Sequence, residues 1–214
     1  MLHDLRQSSI RMKLSRLLFA VVSAGLAIGL SACAVVSPTQ NSFSFDPPVK
    51  KPANPSAVKL RLSTGAQRLY VVEGNTVLLA TPVTVGTRTT PTPHGNFTIY
   101  SKVANRRRHS SPGAGYPMTY WMEFKPAYGL HWGFVKPTPS THGCVRMPID
   151  SARKTFQLIR VGTPINIATS QPWDETIGKS LPVLDDSSLP DPPMSYMLSS
   201  RVFADASQGN LWRY

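Results

Sequence analysis

Twenty prolines lie among the 214 residues, all of them from Pro38 onward. Each removes a backbone N–H and fixes φ, so it is excluded from helix interiors and from central strands. A chain punctuated this way folds into many short elements bounded by turns. A coiled coil is excluded by the same feature together with a charged fraction of only 16%, and no collagen-like repeat is present. The length suits one globular domain with appendages.

Local pattern then places the elements. Residues 58–62 alternate apolar and basic side chains, and residues 68–73 are β-branched and aromatic. Gly74-Asn75 separates the latter from residues 76–85, which predicts a β-hairpin. Strand chemistry returns over residues 95–103, 118–124 and 129–132. Between these lies Arg106-Arg107-Arg108-His109-Ser110-Ser111-Pro112-Gly113, with the composition of an exposed basic loop. One helix is predicted, with Asp150 as N-cap, Ala152, Phe156 and Ile159 on one face, and Gly162 and Pro164 as its stop. A short strand at residues 165–168 closes the domain. The expected fold is a mainly β sandwich with one short α-helix over residues 57–169.

Residues 170–214 hold Pro172, Pro182, Pro190, Pro192 and Pro193 without sustained periodicity, and are expected to be a Pro-rich acidic tail of low order. Trp173, Tyr196, Leu198, Phe203 and Trp212 would allow that tail to fold back over the β domain. Charge is partitioned along the chain. Residues 50–160 carry sixteen Lys and Arg against Glu73, Glu123 and Asp150, while residues 170–214 carry three cations against six acids. No recognition-helix, RNP, KH or zinc-finger pattern accompanies the basic region, so no nucleic-acid partner is expected. An anionic polymer such as cell wall, or an anionic membrane surface, suits the same charge.

The amino terminus has the layout of a secretory signal: Arg11, Lys13 and Arg16 precede an apolar run from Leu17 to Leu30. As a helix those residues reach roughly 21 Å, short of the roughly 30 Å hydrocarbon core. The run ends in Leu30-Ser31-Ala32-Cys33, which resembles a bacterial lipobox. That resemblance implies a signal peptide over residues 1–32 and lipidation of Cys33, and the Ser, Pro, Asn and Gln that follow, with little periodicity, give residues 33–56 the composition of a flexible linker. Ala34 stands where an Asp would mark inner-membrane retention in enterobacterial lipoproteins, which favours the outer membrane. Only Cys33 and Cys144 occur. With Cys33 lipidated, Cys144 would be a lone thiol in an oxidising compartment, where it must be buried or used in chemistry.

The surroundings of Cys144 point to chemistry. Gly129-Leu130-His131-Trp132-Gly133 is followed by Ser140-Thr141-His142-Gly143-Cys144-Val145-Arg146-Met147-Pro148. An imidazole can deprotonate a thiol, a nearby cation stabilises the thiolate, and amides around Gly143 and Cys144 can make an oxyanion hole. The order His then Cys is the reverse of a papain-like peptidase. Zinc ligation by His131, His142 and Cys144 would need His94 or His109 as a fourth ligand, neither at a familiar spacing. Arg146 also stands four residues before Asp150, so a structural pair is a further reading.

His131 followed thirteen residues later by Cys144 within Thr-His-Gly-Cys-Val-Arg-Met-Pro resembles the signature of the L,D-transpeptidase (YkuD) catalytic domain. Gln67-Arg68-Leu69-Tyr70-Val71, residues 90–97 (Thr-Pro-Thr-Pro-His-Gly-Asn-Phe) and Gly115-Tyr116-Pro117-Met118 leading into Tyr120-Trp121-Met122 resemble the family's flanking segments, in its order. The resemblance implies a β-sandwich enzyme of the bacterial envelope without a metal or organic cofactor. It would act on peptidoglycan stem peptides through a thioester that is resolved by an amine, including one on a lipoprotein. It further implies that carbapenems would acylate the cysteine. By position Cys144 is then the nucleophile, His131 the base and acid, and Gly143 with Cys144 the oxyanion amides. Thr141, His142 and Arg146 would shape the pocket and meet substrate, and Tyr116, Met118 and Trp121 would bind substrate along the donor groove, with a place in the core an equal reading for these last three. Trp132 after His131, and the short His-to-Cys connection, depart from many members, so a backbone carbonyl is expected to orient the imidazole.

Overall fold

The computed structural model describes residues 39–211. The signal peptide, Cys33 and Trp212 therefore lie outside the described residues. Nine strands follow in order: β1 (Val58–Ser63), β2 (Arg68–Glu73), β3 (Thr76–Pro82), β4 (Gly95–Thr98), β5 (Ser101–Arg107), β6 (Pro117–Lys125), β7 (Tyr128–Trp132), β8 (Val145–Met147) and β9 (Pro164–Ala168). Helix α1 (Ile149–Leu158) precedes β9, while α2 (Met194–Leu198) and α3 (Arg201–Ser207) follow it. The strands form two sheets, ordered β3-β2-β1-β9-β4 and β5-β6-β7-β8. Leu60, Leu62, Leu69, Val71, Leu79, Ile165 and Ile167 from the first and Met122, Leu130, Trp132, Val145 and Met147 from the second share one core, joined by Ile149 and Ala152 of α1.

The expected hairpin is β2–β3, with Glu73 opposite Thr76 and Gly74 at φ +57° in the two-residue turn. Residues 95–103 do not form one strand. The chain leaves β4 in the first sheet, passes through buried Ile99, and enters β5 in the second. Arg106 and Arg107 belong to β5, so the exposed basic loop is confined to the residues after them. Helix α1 begins two residues earlier than expected, with Pro148 as N-cap. Asp150 lies in its first turn and pairs with Arg153 at 2.7 Å rather than with Arg146.

Residues 170–211, expected to be of low order, are folded against the sandwich. Trp173 packs on Tyr70 with ring centroids 5.6 Å apart, and Met197, Val202, Ala206 and Leu211 enter the main core. This explains why β2 reads as four consecutive buried residues: Leu69 and Val71 face the other sheet, while Tyr70 and Val72 are covered by the extension. The linker reading fails in the same way over residues 39–56, where Ser42 and Phe45 are buried. Short proline-bounded pieces bury little surface by themselves, so their order comes from docking and leaves no periodic trace.

Arg107 is the main clasp of the extension. Its guanidinium donates to the carbonyls of Gly115, Met197, Leu198 and Ser199 at 2.7 to 3.2 Å and lies 4.6 Å from the centre of the Phe203 ring. It satisfies the carbonyls at the end of α2 that the helix cannot satisfy itself. We expect Arg107→Ala to cost about 2 kcal/mol in urea unfolding, by analogy with other charge-assisted hydrogen bonds, and to open residues 190–211 to limited proteolysis.

Candidate active site

The two motif residues are brought to one face because β7 and β8 run parallel. Leu130 is opposite Val145, His131 opposite Arg146 and Trp132 opposite Met147. Alternation along the strands therefore puts His131, Arg146 and Cys144 on one face, while Leu130, Trp132, Val145 and Met147 enter the core. Strand β8 has only three residues, and Thr84 holds its outer edge: Thr84 and Arg146 exchange both backbone hydrogen bonds, at 3.0 and 2.9 Å.

His131 is buried, and its Nδ1 lies 2.5 Å from the Trp132 carbonyl oxygen. A carbonyl only accepts, so the proton sits on Nδ1 and Nε2 keeps the lone pair. The backbone carbonyl thus supplies the orienting group. Burial, seconded by Arg146, pushes the His131 pKa down to about 4, against the smaller opposing effect of the Trp132 carbonyl, so the imidazole is neutral at physiological pH. Cys144 is half-buried, with its Sγ 3.6 Å from the Ala127 carbonyl oxygen. Burial raises its pKa, opposed by the backbone at Gly129 and by Arg146, Arg108 and Arg106. The resting pair is therefore a neutral thiol and a neutral imidazole.

Trp121 is not an open substrate contact. It is 1% exposed, stacks on His131 with centroids 5.7 Å apart, and is covered by the Arg106 guanidinium at 4.4 Å. Glu123 ties this pile together, accepting from Trp121 Nε1 and pairing with Arg106, both at 3.1 Å. Burial would raise the Glu123 pKa, but these donors with Tyr100 and the Ala127 amide hold it below the usual carboxylate range. Gly129 is required beneath the indole, since a Cβ there would come within 2.8 Å of it. The part of Arg106, Glu123 and Gly129 was missed in the sequence because nothing local shows which basic residue of a run turns onto an aromatic face.

Thr141 is likewise buried at 2% exposure. Its hydroxyl donates to the Cys144 carbonyl at 2.6 Å and accepts from the Gly143 amide at 3.1 Å. It shapes the turn before Cys144, and in this conformation the Gly143 amide, expected as an oxyanion donor, is already engaged. Gly143 has φ +108°, and a Cβ would run into the Tyr128 ring, so only glycine fits. Thr92 secures the same turn by donating to the Gly143 carbonyl at 3.0 Å and accepting from the Gly86 amide at 2.9 Å.

Of the remaining motif positions, His142 is exposed, and Tyr116, Met118 and Arg146 are half-buried. Burial, with Asp191, raises the Tyr116 pKa against the opposing influence of Arg146. Among the described residues no carboxylate pairs with Arg146. The arrangement is a buried neutral imidazole and a half-buried thiol with Arg146 and Arg106 close by, a combination suited to nucleophilic attack on an anionic or polarised carbonyl compound.

Two measurements follow from this electrostatics. With Cys33→Ser to leave one thiol, iodoacetamide alkylation of Cys144 should still be accelerating above pH 9, and Arg146→Met should move the midpoint higher. Because folding holds His131 neutral down to about 4, against its ordinary 6.5, the unfolded chain takes the proton first. Stability from this group is complete above pH 6.5 and falls by roughly 3 kcal/mol as pH drops to 4. His131→Gln should flatten that limb in denaturant titrations.

A family model described as the L,D-transpeptidase catalytic domain, YkuD, matches residues 58–167. Solved structures also align. An L,D-transpeptidase from Stackebrandtia nassauensis has 20% identity and a TM-score of 0.49, with 58% of this chain and 60% of that one covered. One from Mycobacterium tuberculosis H37Rv has 19% identity and a TM-score of 0.47, covering 52% and 57%. An Enterococcus faecium L,D-transpeptidase mutant has 22% identity and a TM-score of 0.46, covering 52% and 50%. The chain thus spans about half to three fifths of these relatives' lengths. Comparison with curated proteins finds no match. The family model covers just over half of the chain and reaches both strands that carry His131 and Cys144: this protein belongs to the YkuD family of L,D-transpeptidase catalytic domains.

Proposed function

We propose that the protein is a cysteine acyltransferase of the bacterial envelope, moving the acyl group of a peptidoglycan tetrapeptide stem, with release of D-Ala, onto an amine. The observation that carries the reading is the one-faced grouping of Cys144, His131 and Arg146, with Nδ1 of His131 bound to a carbonyl so that Nε2 is the basic nitrogen.

With both partners neutral at rest, the thiol proton passes to His131 Nε2 as Sγ of Cys144 forms its bond to the stem carbonyl carbon. The charge thrown onto the carbonyl oxygen is met by the Cys144 amide, and by the Gly143 amide once that donor exchanges Thr141 Oγ1 for the oxyanion. Collapse breaks the C–N bond, and the imidazolium returns its proton to the departing D-Ala amine, leaving a thioester on Cys144. An acceptor amine attacks that thioester with His131 again taking the proton, and Cys144 leaves as the thiol. Arg146, Tyr116, Met118 and His142 form the surface on which the stem lies, Arg146 pairing with its carboxylate or carbonyl groups. No metal or organic cofactor enters these steps.

The same reading places the enzyme on the periplasmic side of a membrane, anchored through a lipidated Cys33 after removal of residues 1–32, with the outer membrane favoured. The acceptor is diaminopimelate of a second stem, a free D-amino acid, or a lysine of an envelope lipoprotein.

Mass spectrometry of residues 34–214 incubated with a tetrapeptide muropeptide, with and without added amine, tests the chemistry. The expected result is a Cys144 acyl adduct, loss of D-Ala and an amine-exchanged product. Cys144→Ala should abolish all three, and His131→Gln should slow them by at least about 100-fold. Loss of D-Ala giving only a tripeptide would replace the transferase by a carboxypeptidase. Unaltered stems would leave a wall-binding lipoprotein.

A further inference from the structure

Asp186 is a carboxylate 3% exposed that takes no part in the steps above. Among the described residues no cation pairs with it. Uncharged donors satisfy it instead. Its Oδ1 accepts from the Ser42 amide at 2.7 Å, and its Oδ2 accepts from the Ser42 hydroxyl and from the Val135 amide, both at 2.6 Å. Its own amide donates to the Val135 carbonyl at 2.8 Å. A backbone N–H points at each oxygen. Asparagine would set its NH2 against one of those N–H groups whichever way it were turned, so the site is built for a carboxylate.

Three segments meet there: the amino-terminal arm, the loop that leaves β7, and the carboxyl-terminal extension. The arm and extension are also joined by Gln40, whose amide and carbonyl bond to Val183 and Asp185 at 3.2 and 3.0 Å. Phe43 packs edge-on against Phe134 at 6.0 Å, and Phe134 against Trp132 at the same distance. On its other side the loop is held by Thr84, whose hydroxyl accepts from the Lys136 amide at 2.6 Å and donates to the Lys136 carbonyl at 3.0 Å. The Trp132 carbonyl, which fixes Nδ1 of His131, belongs to the peptide at which the chain leaves β7. The N–H of that same planar peptide, from Gly133, donates to the Met147 carbonyl at 3.1 Å, so the ladder holds one side of it and the residues that follow Gly133 act on the carbonyl only through the tilt they leave to this peptide.

We infer that Asp186 is a positioning residue for the base: by pinning Val135 and Ser42 together it holds the exit loop on the path that aims the Trp132 carbonyl at His131. The arm and the extension, both outside the matched domain, are on this inference part of the catalytic support. It rests on the acyl-transfer reading, but it also leaves a signature independent of turnover.

The test compares Asp186→Asn with Asp174→Asn in the same chain. Asp174 fastens the same extension through Ser63, Tyr70 and the Gln171 amide, at 2.7 to 2.8 Å, none of which belongs to the exit loop. The readouts are kcat and KM for a tetrapeptide donor, and the NMR resonance of His131 Nδ1–H. For Asp186→Asn we expect a fall in kcat of about tenfold, the scale of a small misplacement of a catalytic group, KM within about twofold, and a resonance shifted upfield or lost to exchange. Asp174→Asn should keep both, even with a lowered Tm. If Asp186→Asn does not fold, Ser42→Ala replaces it, with an expected two- to threefold fall in kcat, of the order of one weakened hydrogen bond, and a shift of the same sign. An unmoved resonance with full kcat in the folded variant overturns the inference. So does an equal effect in Asp174→Asn, which would mark general loosening. If the wild type does not turn over stem peptides, the function reading fails and the resonance alone decides this one.

Discussion

The parallel pairing of β7 with β8 is the interaction on which the rest of the site depends. Parallel neighbours need a crossover of about a dozen residues, and here residues 133–144 make it without a helix. That connection departs next to His131 and returns at Cys144, so one loop joins the two side chains that the proposed chemistry uses. A three-residue strand is marginal by itself. β8 persists because β7 takes one edge and Thr84 the other, while Val145 and Met147 anchor it in the core. Thr92 and Thr141 then shape the turn before Cys144, where a glycine at φ +108° brings the backbone against Tyr128.

Burial decides the electrostatics within that frame. His131 is buried beneath an indole and beside two guanidinium groups, and burial first, then the cations, drive it to the neutral form. The same desolvation raises the pKa of the Cys144 thiol, and the cations only partly oppose it. A free thiolate is therefore not stored in the resting protein. Under the proposed acyl transfer, proton transfer to His131 and attack by Cys144 are therefore coupled, which ties reactivity to a correctly seated substrate.

The carboxyl-terminal extension is held to the β sandwich at several places. Arg107 gathers four carbonyls from the Gly115 turn and the end of α2, while its neighbour Arg106 turns to the opposite side and lies on Trp121. Asp174 and Asp186 fasten the extension at two further places through uncharged donors. The excess of acid in this part of the chain thus includes two carboxylates absorbed as multi-hydrogen-bond anchors, besides any role in offsetting the basic face.

Periodicity and turn chemistry made the hairpin, α1 and the strands carrying His131 readable, because each uses residues that prefer its local geometry. The candidacy of His131 and Cys144 was readable too, since a thiol among glycine, histidine and arginine has few structural uses. Residues 95–103 show the limit. A β-branched run looks the same whether it stays in one sheet or crosses to another at Ile99. Trp121 and Thr141 were read as substrate contacts because their positions in the motif are local facts, whereas their burial against His131 and the 141–144 turn is not. The folded extension and arm were invisible for a related reason: Trp173, Met197, Ser42 and Asp186 are far apart in the chain and become ordered only by meeting the sandwich. The sequence alone determined the fold class and singled out His131 and Cys144 as the candidate pair, since period, turns and residue chemistry are local. The protonation states, the carbonyl bound to His131 and the hydrogen-bond partners of Asp174 and Asp186 were decided by the tertiary structure, because desolvation and hydrogen bonding belong to neighbours the chain order does not name.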